Sequence, residues 1–156
     1  MPRVLTAQPH DAPDVARLMT AFRDHLGLTA PSDAEMRAGV ERLLGDSDTE
    51  FLLGARGEDA RAAGVVQLRF RYGVWRAGGD CLLEDLYVDE SARGAGLGHA
   101  LVAATIDRAR ARGCRRIELD VNESNEAAQR LYGSFGFSAT SNTYGARDLY
   151  MRLHVD

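Results

Sequence analysis

Apolar positions along the chain recur with two different periods. After a short apolar start at Val4 and Leu5, the residues Val15, Leu18, Met19, Phe22 and Leu26 follow helical spacing, which predicts a helix with one buried face. Asp11 and Pro13 supply a capping carboxylate and a first-turn proline at its start. A second helix is predicted after Ser32, which forms an S-x-x-E capping box with Glu35, and its apolar stripe is Met36, Val40, Leu43 and Leu44. From Glu50 the period shortens. Phe51, Leu52 and Leu53 predict one strand, and Val66, Leu68, Phe70 and Tyr72, alternating with Gln67, Arg69 and Arg71, predict its antiparallel neighbour. Gly57, Glu58 and Asp59 make the turn between them.

A third strand is predicted over residues 82–88, and Leu97, Leu101, Val102, Ile106 and Ala109 mark a helix that stops at Gly113, an αL cap. Residues 116–121 then predict a strand with Ile117, Leu119 and Val121 on one face, residues 125–135 a short helix, and residues 149–153 a closing strand. This succession of strands and helices predicts an α/β fold: a mixed sheet with helices on both faces.

Composition narrows the setting. With 156 residues, 45% apolar content and four prolines, the chain has the size of one domain spanning 1–156 and enough apolar material for a core. No stretch reaches the ~20 apolar residues of a membrane span, and the N-terminus lacks the apolar block of a signal peptide, so a cytoplasmic protein without a membrane partner is expected. A net charge of −4 speaks against nucleic acid and favours cationic substrates. Cys81 and Cys114 have no metal-binding spacing and read as reduced core thiols. His10, His25, His99 and His154 are scattered, so no metal site is expected.

The strongest local signal is Arg93-Gly94-Ala95-Gly96-Leu97-Gly98, between a strand ending near Val88 and a helix starting near Leu97. Glycines let successive backbone N–H groups converge, and a helix N-terminus adds partial positive charge, a combination suited to pyrophosphate. A P-loop is excluded because His99 and Ala100 follow Gly98 where Lys and Ser/Thr are needed. A dinucleotide fingerprint is disfavoured because the third glycine comes one residue early. A turn that is glycine-rich for steric reasons alone is the remaining alternative.

The pattern R-x-x-G-x-G of this loop, after the strand Leu83-Glu84-Asp85-Leu86-Tyr87-Val88, resembles the coenzyme A loop of the GNAT superfamily of acetyl-CoA-dependent N-acetyltransferases. Asn125-Glu126-Ala127-Ala128-Gln129-Arg130-Leu131-Tyr132, followed by Gly136-Phe137, is similar to that family's second motif, N-x-x-A-x-x-L-Y-x-x-x-G-F. Leu-Glu-Asp-Leu-Tyr-Val, with Phe70-Arg71-Tyr72 and Trp75 before it, is similar to the diamine and polyamine branch. The resemblance implies the family's fold, a mixed and mostly antiparallel central sheet in which two strands part to admit acetyl-CoA. It implies an acetyltransferase acting on a primary amine of a small molecule, polyamine-like or amino-acid-like, by direct attack in a ternary complex, and it is compatible with a homodimer. A peptide or protein N-terminal acetyltransferase and a non-catalytic acyl-CoA-binding module are the alternatives.

An alkylammonium, with a pKa of ~10, must lose a proton before it attacks a thioester. Glu84, whose same-parity neighbours Leu82, Leu86 and Val88 are apolar, is expected in a partly desolvated site, and the resemblance makes it the general base. A carboxylate paired with Arg69 or Arg71 is the other reading of Glu84. In a regular strand Asp85 points to the opposite face; in a bulged one it approaches the acceptor. By resemblance Tyr132 is the acid that protonates the leaving thiolate; a core tyrosine is its alternative. Asn125 is expected to cap its helix and, by resemblance, to contact the cofactor arm, while Leu86 and Val88 offer backbone groups to pantetheine and Arg93, Gly94, Ala95, Gly96, Leu97 and Gly98 surround the pyrophosphate. Tyr72 and Trp75 either present cation–π faces to the acceptor or pack a loop on the sheet. Cys81 lacks the His and Asp partners an acyl-carrying thiol needs.

Overall fold

The computed structural model describes residues 1–156, which form two compact units, Met1–Leu119 and Asp120–Asp156. The first contains β1 (Arg3–Thr6), α1 (Ala12–His25), α2 (Asp33–Leu44), β2 (Thr49–Ala55), β3 (Ala62–Gly73), β4 (Gly78–Val88), α3 (Leu97–Ala111) and β5 (Cys114–Glu118). Its sheet has the order β1-β2-β3-β4-β5; the first four strands are antiparallel neighbours and β5 runs parallel to β4. This is the mixed, mostly antiparallel α/β architecture expected.

The alternation of β2 and β3 sends side chains to two helical layers. Phe51, Leu53, Val65 and Tyr87 pack with Val15 and Leu18 of α1 and Val40 of α2. Each such side chain contributes roughly 1.5–3 kcal/mol on burial. The opposite face meets α3 through Leu97, Leu101, Val102 and Thr105, all fully buried. Gly54 and Gly64, register partners across β2 and β3, lie under this helix. A Cβ at Gly54 would stand 2.8 Å from Leu97 Cδ1, and one at Gly64 would stand 2.8 Å from Leu101 Cδ1. The two missing methyls therefore set how closely α3 approaches the sheet.

Ser32 caps α2 as expected: Glu35 N donates to Ser32 Oγ at 3.2 Å and Ser32 N to Glu35 Oε2 at 2.8 Å. Asp11 is the N-cap residue of α1, but its carboxylate makes no cap hydrogen bond there; its Oδ2 accepts from Gln8 N at 2.8 Å and closes a 3-10 turn over Pro9–Asp11. Gly113 is left-handed, φ 74°, as the end of α3 requires.

β5 occupies Cys114–Glu118, shifted toward the N-terminus from the expected 116–121, because its pairs with β4 run only from Gly79↔Cys114 to Leu82↔Glu118. That junction is pinned by ions. Asp80, 2% exposed, accepts from Arg116 Nε at 3.1 Å, Arg116 Nη2 at 3.0 Å and Arg71 Nε at 3.3 Å, which ties β3, β4 and β5 together. On the α3 face Glu50 accepts from Arg108 Nε at 2.6 Å and Arg112 Nη1 at 3.2 Å, and the Arg112 guanidinium lies 4.0 Å from the Phe70 ring centroid.

The second unit contains α4 (Glu126–Ser134) and an isolated bridge between Thr140 and Arg147. The expected closing strand over 149–153 is absent. Leu149, Tyr150, Met151 and Leu153 are exposed and have no strand to complete a ladder, so the alternating pattern alone does not make a strand. No helix of the chain is long and apolar enough to cross a membrane.

Candidate active site

The site is organised by two interruptions of β4. The first is a bulge: Gln67 pairs with Asp85 and Leu68 with Leu83, so Glu84 is the extra residue. The strand changes phase there, which corrects the expected grouping of Glu84 with Leu86 and Val88. Glu84 now shares a face with Gln67, because Gln67 Nε2 donates to Glu84 Oε2 at 2.7 Å, and Asp85, as the direct partner of Gln67, lies on that face too. Both carboxylates thus face the layer of α1 and α2 rather than opposite sides. Glu84 is not desolvated: its side chain is 41% exposed, and Arg69 Nη1 reaches Oε2 at 3.5 Å. The expected pairing with Arg69 is therefore present.

The second interruption is lateral. β5 ends opposite Leu82, and residues 83–88 have no strand on that side, although β3 continues to pair with them as far as Gly64↔Val88. The sheet is split from Leu83 onward. Leu86 and Val88 lie in the stretch of β4 along this open side.

At the end of β4 the chain passes through a 3-10 turn, Glu90–Ala92, into the glycine loop. Gly94 (φ 77°) and Gly96 (φ 80°) are both left-handed, a conformation that costs other residues roughly 1–2 kcal/mol. Gly96 is the N-cap of α3, and Ala100 N is bonded to Gly96 O at 3.0 Å, so the amides of Leu97 and Gly98 come before the first intrahelical bond. These are conditions for anion binding: curled backbone, amides without helical acceptors and the positive end of a helix. Arg93 is exposed; its Nε donates to Val88 O at 3.0 Å and its guanidinium stands 5.9 Å from the Tyr87 ring.

In the second unit Asn125 Oδ1 accepts from Ala128 N at 3.1 Å, the cap expected of it. Tyr132 is 9% exposed and meets Phe137 edge-on with ring centroids 5.8 Å apart. Tyr72 and Trp75 are 72% and 96% exposed at the β3–β4 hairpin, so neither packs a loop down onto the sheet. Burial pushes the Cys81 thiol up to about 12, which keeps it protonated and inert.

Two features were not anticipated. Gln67 was expected to point outward with Arg69 and Arg71, but it is 6% exposed. It also lines an open groove of about 150 Å³ between α1, α2 and the sheet, with Met19, Met36, Val40, Leu43 and Phe51 as its apolar wall and exposed Pro31, Glu35 and Gly39 at its rim. A separate concavity of about 180 Å³ beside β1, at Arg3, Asp11 and Asp14, does not include the bulge.

Residues 16–137 match the model of the acetyltransferase (GNAT) family. The chain belongs to this family. It is similar to a proposed acetyltransferase of known crystal structure from Arthrobacter sp. FB24, with a TM-score of 0.85 and 33% identity over 99% of this chain and 96% of that one. It is 35% identical to the glucosamine 6-phosphate N-acetyltransferase of Trypanosoma brucei brucei over 109 residues, 69% of this chain and 66% of the relative. It is 44% identical to the mycothiol acetyltransferase of Thermobispora bispora over 64 residues, 39% of this chain but only 22% of that protein's length. The GNAT match begins in α1 and ends at Phe137, so it includes the bulge, the split sheet, the glycine loop and α4.

Proposed function

We propose that the chain acts over 1–156 as one acetyl-CoA-dependent N-acetyltransferase domain that acetylates a primary amine by direct attack. The observation that carries this reading is the split of β4 from β5 beside a left-handed glycine loop at the start of α3. An arm of alternating amides fits a strand edge without a partner, and a pyrophosphate fits the amides that follow Gly94 and Gly96. Leu86 and Val88 would hold the arm through backbone groups, Ala95, Leu97 and Gly98 would close the loop around the phosphates with Arg93 at its rim, and Asn125 would support the arm. Acetyl-CoA, when bound, supplies an acetyl group activated as a thioester.

The protein's own residues handle protons and position. Glu84, aimed from the bulge toward the α1/α2 layer and oriented by Gln67, takes the proton of the acceptor ammonium directly or through one water. Asp85, on the same face, adds negative charge that draws a cationic amine toward Glu84. By the family resemblance, Tyr132 would supply the proton a departing thiolate needs, and backbone N–H groups of β4 would offer hydrogen bonds to the acyl oxygen. The family relatives carry unlike acceptors in their names, so family membership leaves the acceptor open. With Tyr72 and Trp75 in solvent, the aromatic contacts of a polyamine site are not assembled, and the amino-acid-like alternative is favoured.

The test is release of coenzyme A thiol from acetyl-CoA across a panel of diamines, amino-acid amides, amino sugars and short peptides. Turnover with one amine class supports the reading. Binding of acetyl-CoA with no turnover on any amine replaces it with a non-catalytic acyl-CoA-binding module.

A further inference from the structure

The groove between α1 and α2 is joined to the bulge by one side chain. Gln67 lines this open groove and its Nε2 donates to Glu84 Oε2 at 2.7 Å, so the apolar groove begins about one side-chain length from the proposed base. At about 150 Å³ the groove is smaller than the ~300–1,000 Å³ of a whole-ligand pocket, and suits a single side group of roughly four to six heavy atoms. Two methionines in its wall give it the adaptable thioether surface that accepts varied aliphatic shapes. Its one acidic lining residue, Glu35, is committed elsewhere, since Glu35 Oε2 accepts from Ser32 N at 2.8 Å in the cap of α2. A second ammonium would find no carboxylate in this groove other than that of Glu35.

We infer that the acceptor is a primary amine bearing a compact aliphatic side group near its nitrogen, with that group seated between Met36 and Phe51 while Gln67 aligns Glu84 with the amine. This specificity rests on the acetyltransferase reading above. Gly39 offers a clean probe. It lines the groove from the middle of α2, a Cβ there meets nothing within 4 Å, and its φ is not left-handed. Gly39→Leu therefore adds an aliphatic side chain at the groove's rim, where it competes with the acceptor's side group, while replacing a poor helix former with a good one.

The experiment measures kcat/KM for leucinamide, glycinamide and 1,4-diaminobutane with the full chain and with Gly39→Leu, alongside a thermal melt of each. The expected result is a leucinamide-to-glycinamide ratio of at least about tenfold in the parent chain, the discrimination an aliphatic pocket gives. In Gly39→Leu the ratio should fall toward one with no loss of melting temperature. A parent ratio near one, a ratio that Gly39→Leu leaves intact, or a preference for 1,4-diaminobutane overturns the groove's role while leaving the acetyltransferase reading in place. No turnover with any amine sinks both.

Discussion

Gln67 and Glu84 are joined by a 2.7 Å hydrogen bond across a bulge that neither residue announces in the sequence. A nearly buried carboxamide thus fixes the orientation of a carboxylate that is itself half in solvent. Glu84→Gln is expected to lower kcat by about a hundredfold, the usual range for a lost general base. Gln67→Leu keeps volume and burial but removes the donor, and is expected to lower kcat about tenfold with a smaller change in the KM for the amine. Steady-state kinetics checks both. Equal loss of kcat/KM through KM alone would remove Gln67 from the positioning role.

The two left-handed glycines make a second expectation. Gly96→Ala places a Cβ at φ 80°, where strain of about 1–2 kcal/mol follows although no neighbouring atom is within 4 Å. The loop should relax away from its present curl, raising the Kd for acetyl-CoA about tenfold, as titration calorimetry would show. Gly57→Ala, in a turn where φ is not left-handed and the space is open, should leave that affinity unchanged.

Packing under α3 is tight enough to measure. Gly64→Ala drives a methyl to 2.8 Å from Leu101 Cδ1 in a fully buried contact, and is expected to cost about 1–3 kcal/mol in urea unfolding. Leu101→Val in the same chain should return part of that loss, because the crowded δ-carbon is gone; a double-mutant cycle reads the coupling.

The acid limb of stability should depend on Asp80. Hydrogen bonds from Arg116, with its charge and that of Arg71, hold the Asp80 carboxyl below its ordinary 3.8 despite burial. A folded pKa below the unfolded one means that the contribution is complete above about pH 5 and disappears as the pH falls through the folded value. Asp80→Asn should therefore lower stability at pH 7 and flatten its decline below pH 4. Urea unfolding midpoints at pH 7, 5, 4 and 3 would test the sign.

Where the sequence succeeded, a local rule was sufficient. Ser32 and Glu35 form their capping box because the partners are three residues apart, and Gly94, Gly96 and Gly113 are left-handed where turn chemistry asks for it. The bulge, one of the two alternatives for Asp85, is not marked in the apolar pattern because Leu82, Leu83, Leu86, Tyr87 and Val88 supply apolar residues at both parities, so one extra residue leaves no gap. Gln67 looked like an outward position for a related reason: alternation gives its side of the strand, but not the helix that covers that side. The segment around Leu149 carries a strand's alternation without a strand beside it, and partners are not encoded locally. Trp75 was assigned to a pocket or a packed loop on its chemistry alone, while the hairpin points it into water.

The split in the sheet also has a kinetic side. β5 is attached to β4 by register pairs only from Gly79 to Leu82, whereas β3 is paired along both of its edges. Amide hydrogens of β5 should thus exchange with solvent well before those of β3, so the seam opens ahead of the centre of the sheet. A ligand lodged in that seam would slow exchange there, so a loosely paired joint of the sheet becomes a place where occupancy is recorded.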